Sequence, residues 1–172
     1  ALPNKEISFV YSKEILSQLE AVIPRSSSIA IQEAIYKMDI NALQTSLEKF
    51  LIQTISFFDT AGENFYHGLI LGMCAIMDNS YHITSDRESG NGRFDIQLLP
   101  LNKRLPGILI ELKAGRKCSD RELESLSRMA LNQIDKLEYF SELHTLGING
   151  IIKYGIAFSG KKVKITAQRQ HR

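Results

Sequence analysis

The chain has 172 residues, a net charge of +2, and 44% hydrophobic and 23% charged residues. That length suits one domain, or a domain with a small appendage, and can bury a real core. The composition is that of a soluble globular protein, the charge is too small to argue for nucleic acid by itself, and no apolar run approaches the ~20 residues of a membrane span.

Cys74 and Cys118 stand far apart without metal-ligand spacing, which suggests a reducing, cytoplasmic setting. The opening A-L-P-N-K-E-I is neither a signal peptide nor an initiator sequence and reads as a cut, so the chain is expected to be part of a larger protein. Two basic clusters, Lys113/Arg116/Lys117 and Lys162/Lys164/Arg169/Arg172, read as phosphate contacts or as solvated edges.

Asn4 or Ser8 can cap a first helix, whose stripe is Ile7, Tyr11, Ile15, Leu16 and Leu19. Pro24 and Ser26–Ser28 break it, and a short helix is expected over Ile29–Lys37. A third begins at Asp39, with Ile40, Leu43, Leu47, Phe50, Leu51, Thr54 and Ile55 on one side. These helices carry no recognisable chemistry and read as a packing appendage or linker. Thr60 and Glu63 form a capping-box pattern for a helix running to about Asp78, apolar nearly all round and therefore buried. Glu63 and His67 lie one turn apart on it and can face one site; the plainer readings are a capping carboxylate and a core histidine.

Tyr81–Arg87 reads as a strand, and Glu88–Arg93 as a Gly-rich hairpin turn without P-loop spacing. Two apolar runs of strand length follow, separated by a loop with Pro100, Asn102 and Pro106. Strand alternation puts Arg93, Asp95 and Gln97 on one face and Phe94, Ile96 and Leu98 on the other. It also puts Glu111 and Lys113 together, opposite Ile110 and Leu112. Pairing Pro100 with Pro106 in a hairpin sets Asp95 across from Glu111, with Cβ atoms roughly 4.5–5.5 Å apart. A helix over Ser119–Leu143 then presents Leu123, Leu126, Met129, Ala130, Ile134 and Leu137, with Gln133 along it. Asn149-Gly150 opens a strand ending at Ser159, and Lys162–Ala167 is its partner. A meander followed by a helical crossover predicts an α/β fold with a mixed sheet and helices on both faces.

Two opposed carboxylates repel unless a cation lies between them. Asp95 and Glu111 suit Mg²⁺ or Mn²⁺, which take one or two carboxylates plus water and phosphate. The Leu112 backbone carbonyl can add a ligand, and Glu63 can reach the ion through water. Lys113 can position or deprotonate water, or neutralise a phosphate; Gln133 can orient the nucleophile or the nucleic-acid backbone. Asp95 can instead close a turn or pair with Arg93, and Glu111 and Lys113 can be an exposed strand face. The apolar neighbours Ile108, Ile110 and Leu112 speak against that exposure.

The order of Glu63, Asp95, Glu111-Leu112-Lys113 and Gln133 across helix, strands and helix resembles the PD-(D/E)XK nuclease superfamily, with Phe94 where Pro is frequent. E-N-F-Y-H-G-L, R-E-S-G-N-G-R-F-D, I-E-L-K, A-L-N-Q-I and Y-G-I-A-F-S-G-K-K-V resemble more closely the C-terminal nuclease-like domain of a bacterial family carrying an N-terminal AAA-ATPase-like domain. L-P-N-K-E-I resembles the junction after that ATPase-like part.

The resemblance implies a restriction-endonuclease-like core over 59–172 after a helical appendage or linker at 1–58. It also implies Glu63, Asp95, Glu111 and Lys113 as the site with Gln133 beside it, and places His67, Glu88 and Arg93 in the family's patterned stretches. The expected function is metal-dependent phosphodiester hydrolysis in nucleic acid, DNA foremost, beside an ATPase-like domain of the same polypeptide. The modest net charge then either favours a non-catalytic binding module or implies substrate affinity supplied by another domain or by homodimerisation. The alternatives are a non-catalytic module binding nucleic acid or a partner, and a regulatory domain contacting the ATPase through the helices before Asp59.

Overall fold

Residues 25–53, 62–75, 77, 79–85, 94–135 and 143–171 are those that the structure, a computed structural model, describes. They form α1 (Arg25–Lys37), α2 (Ile40–Gln53), α3 (Glu63–Ala75), β1 (Tyr81–Ser85), β2 (Ile96–Pro100), β3 (Gly107–Ala114), α4 (Asp120–Asp135), β4 (Gly150–Ser159) and β5 (Lys162–His171). The helix expected from Asn4, Thr60 of the expected capping box, the Glu88–Arg93 turn and residues 136–142 of the expected long helix lie outside the described residues.

α1 begins at Arg25, not Ile29. Pro followed within two residues by Ser-Ser-Ser is a helix-start signal as much as a break. Met38, at φ 57°, ends α1 in the left-handed region. Asp39 then starts α2 by accepting the Ala42 amide at 3.0 Å on Oδ1. α4 opens with a reciprocal cap. Ser119 Oγ accepts the Glu122 amide at 3.3 Å, and Glu122 Oε2 accepts the Ser119 amide at 2.7 Å.

The sheet is mixed, in the order β1-β2-β3-β4-β5, antiparallel except for the parallel β3–β4 pair. The crossover between those two strands carries α4, as a parallel connection requires. Ile108, Ile110 and Leu112 of β3 and Ile152, Tyr154, Ile156 and Phe158 of β4 face a core shared with α1, α2 and α3. Tyr154 Oη donates to the Ile35 carbonyl at 2.6 Å, and Gln44 and Glu48 of α2 accept the Ile165 and Val163 amides of β5 at 2.9 and 3.2 Å.

α4 covers the other face. Leu123, Ala130, Leu131 and Ile134 are buried there, but Met129 is 56% exposed. At about 100° per residue Met129 lies about 240° round from Leu123, off the stripe in which the sequence had placed it. Phe94 also departs from expectation. It packs with Leu109, Ile134 and Leu143 rather than beside Ile96 and Leu98, because strand alternation begins only at Ile96, after a bend at Asp95. Lys153 is buried under α4, donating to Gln170 Oε1 at 2.6 Å and to Asp135 Oδ1.

Gly155 sets how closely α4 approaches. A Cβ there would lie 2.1 Å from the Ser127 carbonyl oxygen and 2.5 Å from the Leu131 nitrogen, both helix backbone. Gly155→Ala should therefore push α4 off β4 and destabilise by roughly 1–3 kcal/mol or more; denaturant unfolding measures it, and an unchanged midpoint would refute the close approach.

Candidate active site

The β2–β3 register pairs Ile96 with Ile110 and Leu98 with Ile108. Carried outward it sets Pro100 against Pro106 and Asp95 against Glu111, the pairing that the loop residues implied. Asp95 and Glu111 are buried, 7% and 5% exposed. The Asp95 amide donates to the Ile110 carbonyl at 3.1 Å, and Asp95 Oδ2 accepts the Leu112 amide at 2.7 Å. A side-chain oxygen thus continues the ladder where the backbone pairing stops. The N–H and C=O of one strand residue point to the same side, so the Leu112 carbonyl is also directed toward the Asp95 edge.

Lys113, two residues beyond Glu111 on the same face, places Nζ 3.3 Å from Glu111 Oε1 and 2.7 Å from Gln133 Oε1 of α4. Because Gln133 can only accept through that oxygen, it holds the ammonium and not the reverse. Burial first, and the Asp95 charge second, lift the Glu111 carboxyl from its ordinary 4.5 to about 7; Lys113 opposes this and the Glu63 charge adds to it. Glu63 itself is exposed at the first turn of α3. His67, one turn on, is buried with Nε2 3.0 Å from Ser85 Oγ and 3.4 Å from the Asp95 carbonyl. A carbonyl only accepts, so contact with Asp95 uses the Nε2–H tautomer.

The structure therefore brings together Asp95, Glu111, Lys113 and Gln133, with Glu63 within electrostatic reach and His67 behind the Asp95 backbone. Glu88 and Arg93 lie outside the described residues. Ser85 was not singled out in the sequence; strand alternation gives its face, but only pairing with Ile96 brings it to His67.

Among the described residues no three His, Cys, Asp or Glu side chains group as ligands. The donor set is two carboxylates and a strand carbonyl, which fits an oxygen-preferring ion that keeps several waters, Mg²⁺ or Mn²⁺, better than a closed nitrogen–sulfur site. The raised proton affinity of Glu111 comes first from its burial and then from the Asp95 charge, with the Lys113 ammonium opposing both.

A mixed sheet between helices, with Asp at the start of one strand and Glu-x-Lys on the next, defines a nuclease-type fold. The family model of the PD-(D/E)XK nuclease superfamily matches residues 61–168, and the chain belongs to that superfamily. Its sheet and flanking helices are the expected restriction-endonuclease-like core. Comparison with curated proteins gives no match.

Since the folded value of Glu111 lies above its ordinary one, protonation favours the folded state. Its contribution is full below pH 4.5 and is lost as pH rises to about 7. In metal-free protein, Glu111→Gln should gain stability relative to wild type across that window, by up to about 3 kcal/mol, and level off above it. Unfolding at a series of pH values in chelator checks this; a pH-independent difference would contradict the assignment.

Proposed function

We propose that this domain is a Mg²⁺- or Mn²⁺-dependent nuclease hydrolysing phosphodiester bonds in DNA. The observation that carries the reading is the buried Asp95–Glu111 pair with Lys113 held over it by Gln133. Asp95, Glu111 and the Leu112 carbonyl would hold the ion, with Glu63 reaching it through water. Bound there, the ion supplies Lewis-acid stabilisation of phosphate charge and a more acidic water.

Lys113 neutralises charge developing on the phosphate or takes up the proton of the attacking water. Gln133 is a positioning residue, since it acts through Lys113. The Asp95 carboxylate, fixed by the Leu112 amide, keeps the β2 and β3 ends at one separation. His67 and Ser85 brace the backbone at Asp95.

A polymer with a phosphate backbone is supported by the rim of the site. Gly115 bonds the Phe158 carbonyl at 2.8 Å and the Cys118 amide bonds Ser159 Oγ at 3.0 Å, so the Gly115–Cys118 loop lies against the β4–β5 turn. Arg116, Lys117 and Lys161 are exposed on these two segments, which follow the strand that carries Lys113 and the strand paired with it. An ATPase-like domain of the same polypeptide, a cytoplasmic setting consistent with free Cys74 and Cys118, and a homodimer are further parts of the proposal; the ATPase-like domain is supported by the resemblance of the motif blocks. No helix among the described residues is long and apolar enough to cross a membrane.

Lys113→Ala should lower cleavage of plasmid or single-stranded DNA by roughly 10²–10⁴-fold while the protein still unfolds cooperatively, which circular dichroism checks. Asp95→Asn, which keeps an acceptor for the Leu112 amide, should lose Mn²⁺ binding in calorimetry. Equal binding by both proteins would reject the metal site. A wild type that cuts neither DNA nor RNA with either ion would turn the reading to a non-catalytic binding module.

A further inference from the structure

At the end of the sheet away from Asp95 and Glu111, the β2–β3 loop, the start of β4 and the end of β5 enclose a cleft of about 430 Å³. Lys103, Arg104, Asn149, Arg169 and His171 line it with Pro106, and none of its described lining residues is acidic. Three of these side chains carry full positive charge near neutral pH.

The cations are held in place by the fold. Leu105 N–H reaches the Asn102 carbonyl at 2.9 Å and Arg104 N–H reaches Asn102 Oδ1 at 3.0 Å, which makes Lys103 and Arg104 the two central residues of a tight turn. The loop is tied at both sides, by Leu101 N–H to the Ser80 carbonyl at 2.9 Å and by Tyr81 Oη to the Pro106 carbonyl at 2.8 Å. Lys103 lies along Gly147, where a Cβ would come within 3.3 Å of Nζ. Across the cleft, Arg169 is anchored by a 2.8 Å bond to the Tyr36 carbonyl, and the His171 ring sits over Gly150. Like charges converging on one concavity, with no acid among its described lining residues, repel one another until an anion enters.

We propose that this cleft binds backbone phosphates of a nucleic-acid strand at a distance from the strand's reacting bond, an inference that rests on the nuclease reading of the Asp95–Glu111 pair. The volume suits about one nucleotide unit. From Gly107 at the level of the cleft to Glu111 is four residues of β3, about 13 Å at 3.3 Å per residue, so the cleft is separate from the acid pair and its phosphate contacts add affinity without touching the reacting bond.

The test is binding of a labelled single strand of about 12 nucleotides to metal-free protein in chelator, wild type against Lys103→Glu/Arg104→Glu, over a salt series. Both changes are on exposed turn residues, and the unfolding curve checks that the fold is kept. The double variant should bind the strand at least about tenfold more weakly, with a salt slope shallower by about 1–2. Equal affinity and an equal slope would overturn the proposal. So would displacement of the strand by polyglutamate as readily as by unlabelled strand. Cleavage is assayed separately with metal: an inactive wild type whose binding is lost in the variant fails only the nuclease reading, and an active one indifferent to the variant fails only the cleft.

Discussion

Everything at the candidate site depends on one hydrogen bond, from the Leu112 amide to Asp95 Oδ2 at 2.7 Å. It lies where the β2–β3 ladder runs out, and it turns a carboxylate into a structural acceptor. Without it, two acids buried at the end of a sheet would drive the strands apart; with it, their separation is fixed by backbone geometry. Lys113 and Gln133 complete the arrangement from β3 and α4. The position of α4 follows in turn from Gly155, whose missing side chain lets the helix backbone sit directly on β4. Strand register, helix approach and the lysine's aim are therefore linked constraints.

Burial first, and then Asp95, push the Glu111 carboxyl up to about 7 even with the Lys113 ammonium 3.3 Å away. Under the same helix the buried ammonium of Lys153 is held between Asp135 and Gln170, so α4 covers two buried polar clusters, each with one lysine and one glutamine.

Much of this was legible in the sequence because period-2 alternation and two prolines suffice to set a hairpin register. The same arithmetic placed Ile110 and Leu112 in the core and Glu111 and Lys113 on the other face. It failed at Phe94, where the chain bends before the strand begins, and at Met129, which a loosely drawn stripe took inward although helical geometry turns it out. Lys153 reads as a surface residue until the parallel pairing with Leu109 puts it beneath α4. The cationic cleft was hidden for a similar reason. Lys103 and Arg104 are more than sixty positions from Arg169, and only the lateral order β3-β4-β5 makes them neighbours.

The bonds from Ile165 and Val163 to Gln44 and Glu48 have a consequence beyond packing. β5 is the outermost strand of the described sheet on that side, and outermost strands offer unpaired amides as a template for foreign strands. Two polar side chains of α2 occupy those amides, so the helix acts as a guard against intermolecular strand addition. α2, which lies outside the stretch 61–168 by which the superfamily is matched, thus covers the β5 edge of the nuclease-type sheet.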